Sequence, residues 1–316
     1  MDFEALKTFV AIHQSGGFSI AADKLGRSQP AISRRISLLE EHLGAPLFER
    51  ASTGVGLSAA GRTLLPHAER ILAASRDAER AMVALRGEDA GAVSLMVVGT
   101  LAGAHLSRAL RKFAARHPAA DLTVATATSA KVSDAVRRGE ATIGLRYLKD
   151  TSTDLVCEHI ASEPLRVVCA PDHALAGRAL KSLAPLGGEH WFAFTDAQTH
   201  RESFADNIFS QFEALGIGTV RWTAVDSQTA QKRLIEAGFG IALLPQGAVE
   251  DELRAGTLAT IAITGWHMAN PIHTVVRKQG YLSPAAKRLL ELLRREPLAE
   301  KPSAGSSPPR PRARKR

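Results

Sequence analysis

Along the first quarter of the chain apolar residues recur three and four apart, the spacing of one helix face. From Ala92 onward short β-type runs alternate with helical ones. Leu6, Phe9 and Val10, with His13, mark the inner side of a helix over 3–15 that Gly16-Gly17 ends. Phe18, Ala21, Ala22 and Leu25 define a shorter second helix with Ser19 as its expected cap. Ile32, Ile36, Leu39 and Leu43 form the inward stripe of a third. The second and third helices meet at Gly26. Ser28 is placed to cap the third by accepting a bond from a free backbone N–H, and Pro30 falls in its first turn, where the missing N–H costs little.

The polar residues left facing outward near the start of the third helix are Gln29, Ser33, Arg34 and Ser37. A recognition helix reads the major groove with that end and those residue types, although the same spacing also occurs in a plain helical hairpin. On the DNA reading, the amide of Gln29 meets base edges, Ser33 and Arg34 meet phosphates or nearby bases, and Ser28 and Arg50 hold phosphates. Pro30 offers an apolar contact to a thymine methyl. Arg35 turns away from Gln29 and reads equally well as a solvated charge. Residues 49–58, with Gly54 and Gly56 between short apolar ends, fit a β-hairpin wing.

Ser58 caps a long helix expected to run to about Gly87. Leu65, Ala68, Leu72, Ser75, Ala78, Met82 and Leu85 lie three or four apart on it. Such a seam outside an obvious core calls for a partner helix, or else packs on the chain's own C-terminal part. Beyond it, strands are expected at 93–98, 122–127, 141–145, 155–161, 165–170, 191–195, 220–225, 241–244 and 272–277. Helices are expected at 102–116, 129–138, 203–215, 227–237 and 284–295. This is α/β architecture with a parallel sheet, doubled into two lobes.

The order Phe18-Ser19, Ala21-Ala22, Leu25, Ser28-Gln29-Pro30-Ala31-Ile32-Ser33, Leu39-Glu40, Leu43-Gly44, Leu47-Phe48 and Arg50 resembles that of the LysR-type transcriptional regulators. So does Leu57-Ser58-Ala59-Ala60-Gly61, at the family's junction of wing and linker helix. The resemblance implies a winged helix-turn-helix over 1–58, a dimerisation helix over 59–88, and a two-lobed α/β effector domain of periplasmic-binding-protein type. Lobe I would be 91–161 with 268–296, lobe II 162–267, and 297–316 a disordered basic tail. It also implies a homodimer or homotetramer on a dyad-symmetric DNA operator, a small-molecule effector between the lobes, and RNA polymerase as partner if the protein activates. The segment Ser52-Thr53-Gly54-Val55-Gly56 lacks the arginine that often enters the minor groove in the family. Thr142 replaces the usual aspartate near the third strand of lobe I, so a hinge contact does not transfer there.

Composition changes this picture little. Of the formal net charge of +8, the last twenty residues supply +5, from six Lys and Arg against one Glu, so the excess lies in the tail rather than in the reader. No apolar run is long enough to span a membrane, and the acidic, amphipathic start is unlike a secretory signal, which favours the cytoplasm. Two cysteines give no disulfide framework.

Candidate effector contacts sit where strands end beside helix N-termini, which attract anions. They are Thr100, Ser129, Arg146, Thr195 and Ser227, and the first three hint at a carboxylate or similar anion. No cofactor, metal site or catalytic constellation is expected, since the histidines match no metal-ligand spacing and there is no nucleophile elbow or phosphate loop. Two other readings remain: a redox-sensing regulator using Cys157 and Cys169, and a solute-binding α/β protein with a helical N-terminal cap.

Overall fold

The computed structural model describes residues 2–51, 54–85, 91–195, 212, 220–296 and 298. The N-terminal part is built from α1 (Phe3–Ser15), α2 (Phe18–Leu25), α3 (Gln29–Leu43), the hairpin β1 (Phe48–Ala51) and β2 (Gly54–Leu57), and α4 (Ala59–Ala84). Asp2 caps α1 by accepting from the Ala5 N–H at 2.6 Å. Small residues let the helices close up: Ala21, Ala22, Phe9, Ile12, Ile32, Ile36 and Leu39 are all buried in one core, and Phe48 from the wing packs on Phe9 and Phe18. Gly26 takes the left-handed conformation (φ 61°) that the α2–α3 turn needs and that glycine enters without a Cβ clash.

Four local expectations change. Gly17, not Ser19, occupies the cap position of α2. Ser28 sits at the α3 cap position but its hydroxyl accepts no capping bond. Ile12 rather than His13 completes the inner face of α1, and His13 is exposed. Leu43, one turn beyond the core, is 41 % exposed.

The Leu57–Gly61 motif has a steric explanation. Ser58 Oγ accepts from the Gly61 N–H at 3.0 Å and donates to the Pro46 carbonyl, while its own N–H donates to the Leu47 carbonyl. A Cβ at Gly61 would stand 2.1 Å from that Leu47 oxygen, so only glycine lets α4 start this close to the wing. At the other end of α3 the Glu40 carboxylate accepts from the Leu47 N–H at 2.7 Å, which fixes the path into the wing.

The remaining chain contributes β3 (Gly91–Val98), α5 (Ala104–Arg116), β4 (Ala120–Ala127), α6 (Ser129–Arg137), β5 (Ile143–Tyr147), β6 (Leu155–Cys169), β7 (Ala179–Leu180), β8 (His190–Phe194), β9 (Arg221–Val225), α7 (Gln228–Glu236), β10 (Ala242–Pro245), α8 (Gln246–Ala255), β11 (Ala259–Ile263), β12 (Ala269–Arg277) and α9 (Pro284–Arg295). Parallel β3–β4 and β3–β5 pairs carry the βαβ units. The two strands expected at 155–161 and 165–170 are one continuous strand of 15 residues. Its first part pairs with β12 in lobe I, and its last part with β10 and β11 in lobe II. The lobes therefore join through an unbroken strand at 164/165 rather than at a connection near 161. Elements α8, β7 and β11 were not anticipated, and the helix expected at 203–215 lies, apart from Phe212, outside the described residues.

Helix α4 is tied to lobe I of its own chain. Asp77 pairs with Arg277 at 2.6 Å and accepts from the Tyr281 N–H, while Arg76 and Arg80 donate to the carbonyls of Arg138 and Gly139. Gly139 lies against Ala73, close enough that an added Cβ would press on it.

Candidate functional site

Two surfaces carry candidate chemistry, the leading turn of α3 and the space between the lobes. On α3, burial of Ile32, Ile36 and Leu39 turns the opposite face outward, so Ser28, Gln29, Pro30 and Arg34 are exposed and Ser33 is half-buried. These five form one surface at the helix start. Arg35 points the other way and meets Glu4 on α1 at 3.6 Å, which removes it from that surface. Arg50 lies in β1, but its side chain is outside the described residues.

The α4 seam divides into two halves with different surroundings. Ala68 and Leu72 are buried in the core of their own N-terminal domain, with Leu65 packed against it, so these three are intramolecular rather than free for a partner. Ala78, Met82 and Leu85 face solvent, at 64 % exposure for Met82 and 77 % for Leu85. Ile71, passed over in the sequence, is 42 % exposed. With Ser75 it restores a four-three alternation (71, 75, 78, 82, 85) suited to a two-helix seam.

Between the lobes lies a cavity of about 480 Å³. Lobe I contributes Thr100, the β4–α6 junction from Thr126 to Lys131, Tyr147 and Leu148. Lobe II contributes the end of β8 through Thr195, Gln228 and Gln231 of α7, and Leu243–Pro245. The lining is mainly apolar, with Trp191 and Phe192 on the lobe II side. Leu148, the one non-glycine residue at positive φ among the described residues (58°), is part of the wall. Strained backbone of this kind persists where surrounding structure holds it, and it clusters at ligand sites.

Of the five expected contacts, Thr100, Ser129 and Thr195 line the cavity; Arg146 and Ser227 do not. Arg146 is 2 % exposed, with its guanidinium bonded to Ser133, to the Tyr147 carbonyl and to Asp150 at 2.9 Å. Burial alone would raise the Asp150 carboxyl, but hydrogen bonds from Ser133 and Ser152 and the Arg146 charge outweigh it and hold it at about 2. An Arg-x-x-x-Asp spacing in the sequence carried that signal. Ser227 instead caps α7, accepting from the Ala230 N–H at 3.3 Å.

Behind the cavity, Thr100 Oγ1 donates to Tyr147 Oη at 2.9 Å, and Tyr147 donates to the Glu163 carboxylate. Glu163 also accepts from the Gly247 N–H of lobe II at 3.1 Å, so one buried carboxyl joins both lobes. Burial pushes it above the usual carboxylate range despite those two bonds, and burial followed by the Glu163 charge pushes Tyr147 well up.

The thiols do not support a redox pair. Both are free, and they lie twelve residues apart on β6, which is roughly 40 Å at strand rise. Burial, followed by the Glu189 and Asp172 charges, raises Cys169 to about 11, away from reactive thiolate.

Residues 3–62 match the bacterial regulatory helix-turn-helix model of the lysR family, and residues 86–297 match the LysR substrate binding domain. The chain is 29 % identical over 289 residues to the transcriptional regulator CbbR of Rhodospirillum rubrum, covering 92 % of this chain and 94 % of that one. The crystal structure of CbnR, a LysR family transcriptional regulator, superposes with TM-score 0.64 at 28 % identity, over 95 % of this chain and all of that one. Full-length CbnR complexed with its target DNA gives 0.62 at 29 % identity, over 93 % and 99 %. Relatives that span reader and lobes together leave no room for a solute-binding protein with an accidental cap. The chain belongs to the LysR family of DNA-binding transcriptional regulators and joins a winged helix-turn-helix to an effector-binding α/β domain.

Proposed function

We propose that this regulator works in the cytoplasm as a dimer, or a dimer of dimers, that reads a dyad-symmetric operator through α3 and changes its hold on that DNA when a small molecule fills the cavity between the lobes. The observation that carries the DNA half is the exposed cluster Ser28, Gln29, Pro30, Ser33 and Arg34 on a helix whose other face is locked in the core. Gln29 meets a base edge, Ser28 and Arg34 hold phosphates, and Pro30 packs on a thymine methyl. Arg50 adds a phosphate contact from the wing. CbnR was solved on its target DNA, which makes the docking of α3 by its leading turn the natural geometry here. The exposed half of α4 pairs with its counterpart in a second copy, so that two readers face two half-sites. If the outcome is activation, the DNA-bound assembly contacts RNA polymerase.

An effector acts only through its different affinity for two arrangements of the assembly. Thr100, Ser129 and Thr195 are its proposed contacts. Footprinting on the DNA upstream of the gene locates the operator, and Gln29→Ala then tests the reader. Discrimination between operator and scrambled duplex should fall by about 5- to 150-fold, the range of a lost bidentate base contact of ~1–3 kcal/mol, with melting unchanged. Unaltered discrimination removes Gln29 from base reading.

A further inference from the structure

This inference rests on the cavity being the effector site and reverses the charge that the sequence hinted for its occupant. The hydroxyls behind that hint are engaged: Thr100 Oγ1 donates to Tyr147 Oη at 2.9 Å, and Ser129 Oγ donates to the Tyr147 carbonyl at 3.4 Å. Arg146 lies outside the wall and is neutralised by Asp150. Among the described lining residues Lys131 is the one charged side chain, and it already has an interaction partner. A charge taken from water into such a wall without a partner costs far more than a neutral group that finds hydrogen bonds there, so the occupant should be uncharged.

Lobe II adds a more specific demand. Gln231 is 1 % exposed and its Nε2 donates to the Phe192 carbonyl at 2.8 Å. That bond fixes the amide, because the flipped orientation would set oxygen against oxygen. Its Oε1, buried and without a hydrogen-bond partner, is therefore an acceptor that needs a donor. Gln228 stands three residues earlier on the same face of α7, and its Nε2 is a buried donor that needs an acceptor. Both residues line the cavity. Buried polar atoms of a folded protein are nearly always paired, so this acceptor and donor on one helix face mark where a guest supplies the partners.

A lactam, a cyclic amide with its N–H and C=O on one edge, meets both needs with one rigid group. Its N–H donates to Gln231 and its carbonyl accepts from Gln228, two bonds from two atoms, where a hydroxyl must make both from one. A carboxylate fails this seat, since it brings acceptors only and sets a negative charge against the Gln231 oxygen. Across the cavity Thr128 Oγ1 is also buried and unpaired, but a hydroxyl turns its proton to suit donor or acceptor and imposes no charge. The rest of the wall is mainly apolar, with Val98, Leu148, Trp191 and Leu243, which suits a flat ring system.

We infer that the effector is an uncharged, ring-sized molecule with a lactam edge. That edge sits on Gln228 and Gln231 of α7, and the apolar body lies against Trp191 and Phe192.

The test uses the full chain and measures affinity by calorimetry and melting for a matched set: 2-quinolone, N-methyl-2-quinolone, 2-naphthol and 2-naphthoate. The lactam 2-quinolone should bind about tenfold tighter than each of the other three. Gln231→Met should erase the gap between 2-quinolone and its N-methyl form, whereas Gln228→Leu should weaken both alike, because both keep the carbonyl. If Gln231→Met fails to fold, Gln228→Leu and the wild-type comparison decide. An N-methyl form, naphthol or naphthoate that binds as tightly as 2-quinolone overturns the inference while leaving the cavity as the effector site. Binding of none of the four overturns it too. Thr195→Trp, which intrudes on the cavity from its wall, tests the underlying reading separately. It should abolish 2-quinolone binding with melting retained, and full binding by that variant removes the cavity as the seat.

Discussion

Glu163 shows how a single residue's surroundings set a measurable behaviour. It is 3 % exposed, accepts from Tyr147 and from the Gly247 N–H, and has no basic partner among its described hydrogen bonds. Burial raises its pKa from the ordinary 4.5, so the folded carboxyl keeps its proton to higher pH than the unfolded one. Stability from this group is then greatest below 4.5 and declines as pH rises through the raised value. Glu163→Gln keeps an acceptor for Gly247 and cannot ionise. Its melting temperature should exceed the wild type's by a few degrees at pH 7, with the gap closing as pH falls below 4.5. A constant gap across that window would show the carboxyl to be ordinary. Arg146 teaches the complementary lesson. A lone arginine after a strand invited an anion-binding role, whereas Asp150, four residues on, already neutralises it.

At the scale of elements, α4 combines two tasks that its sequence does not separate. Leu72→Ala removes a buried side chain from the N-terminal core and should destabilise the domain by about 2–5 kcal/mol. Met82→Glu with Leu85→Glu alters exposed positions, should leave the melt of an isolated subunit nearly unchanged, and should shift sedimentation from dimer to monomer. A dimer that survives the double change would place the seam elsewhere. Most helices and most strands were legible because their periodicity was strong: α1 and α9 span the residues that spacing, glycine and proline marked. The seam's division was not legible, since heptad spacing reports an apolar stripe without naming what covers it. Ser162-Glu163-Pro164 read as a break in β6 because polar residues and proline usually end strands, whereas here Glu163 turns inward as the tie between lobes. Helix α8 was missed because only Val249 of its ten residues is buried. In the reader, by contrast, the outward position of Ser28, Gln29, Pro30 and Arg34 could be told from order alone, because a short helix with one buried stripe leaves few ways to face outward.

Across the whole molecule, reader and lobes are linked through α4. The Asp77–Arg277 pair is partly buried, about 15 % exposed on each side, and is reinforced by the Tyr281 N–H. Asp77→Ala leaves the Arg277 charge without its carboxylate and frees that N–H, so lobe I should detach from α4. Small-angle scattering should then report a larger radius for the variant, and any effector-dependent change in DNA bending should weaken several-fold. A compact variant with full response would assign the coupling to the Arg76 and Arg80 contacts on the 138–139 turn instead.

Strands β6 and β12 run side by side through the lobe I sheet and on to the lobe boundary, and their register slips once, between Ile272 and His273, skipping Ile160. Any swing of one lobe toward the other is therefore taken up as torsion in a hydrogen-bonded ribbon, not as free rotation about a slack loop. A ribbon of that kind yields by small angles and pulls back elastically. On the proposed function, guests of graded bulk should favour the twisted arrangement to different degrees, and reporter output should follow the share of molecules that adopt it.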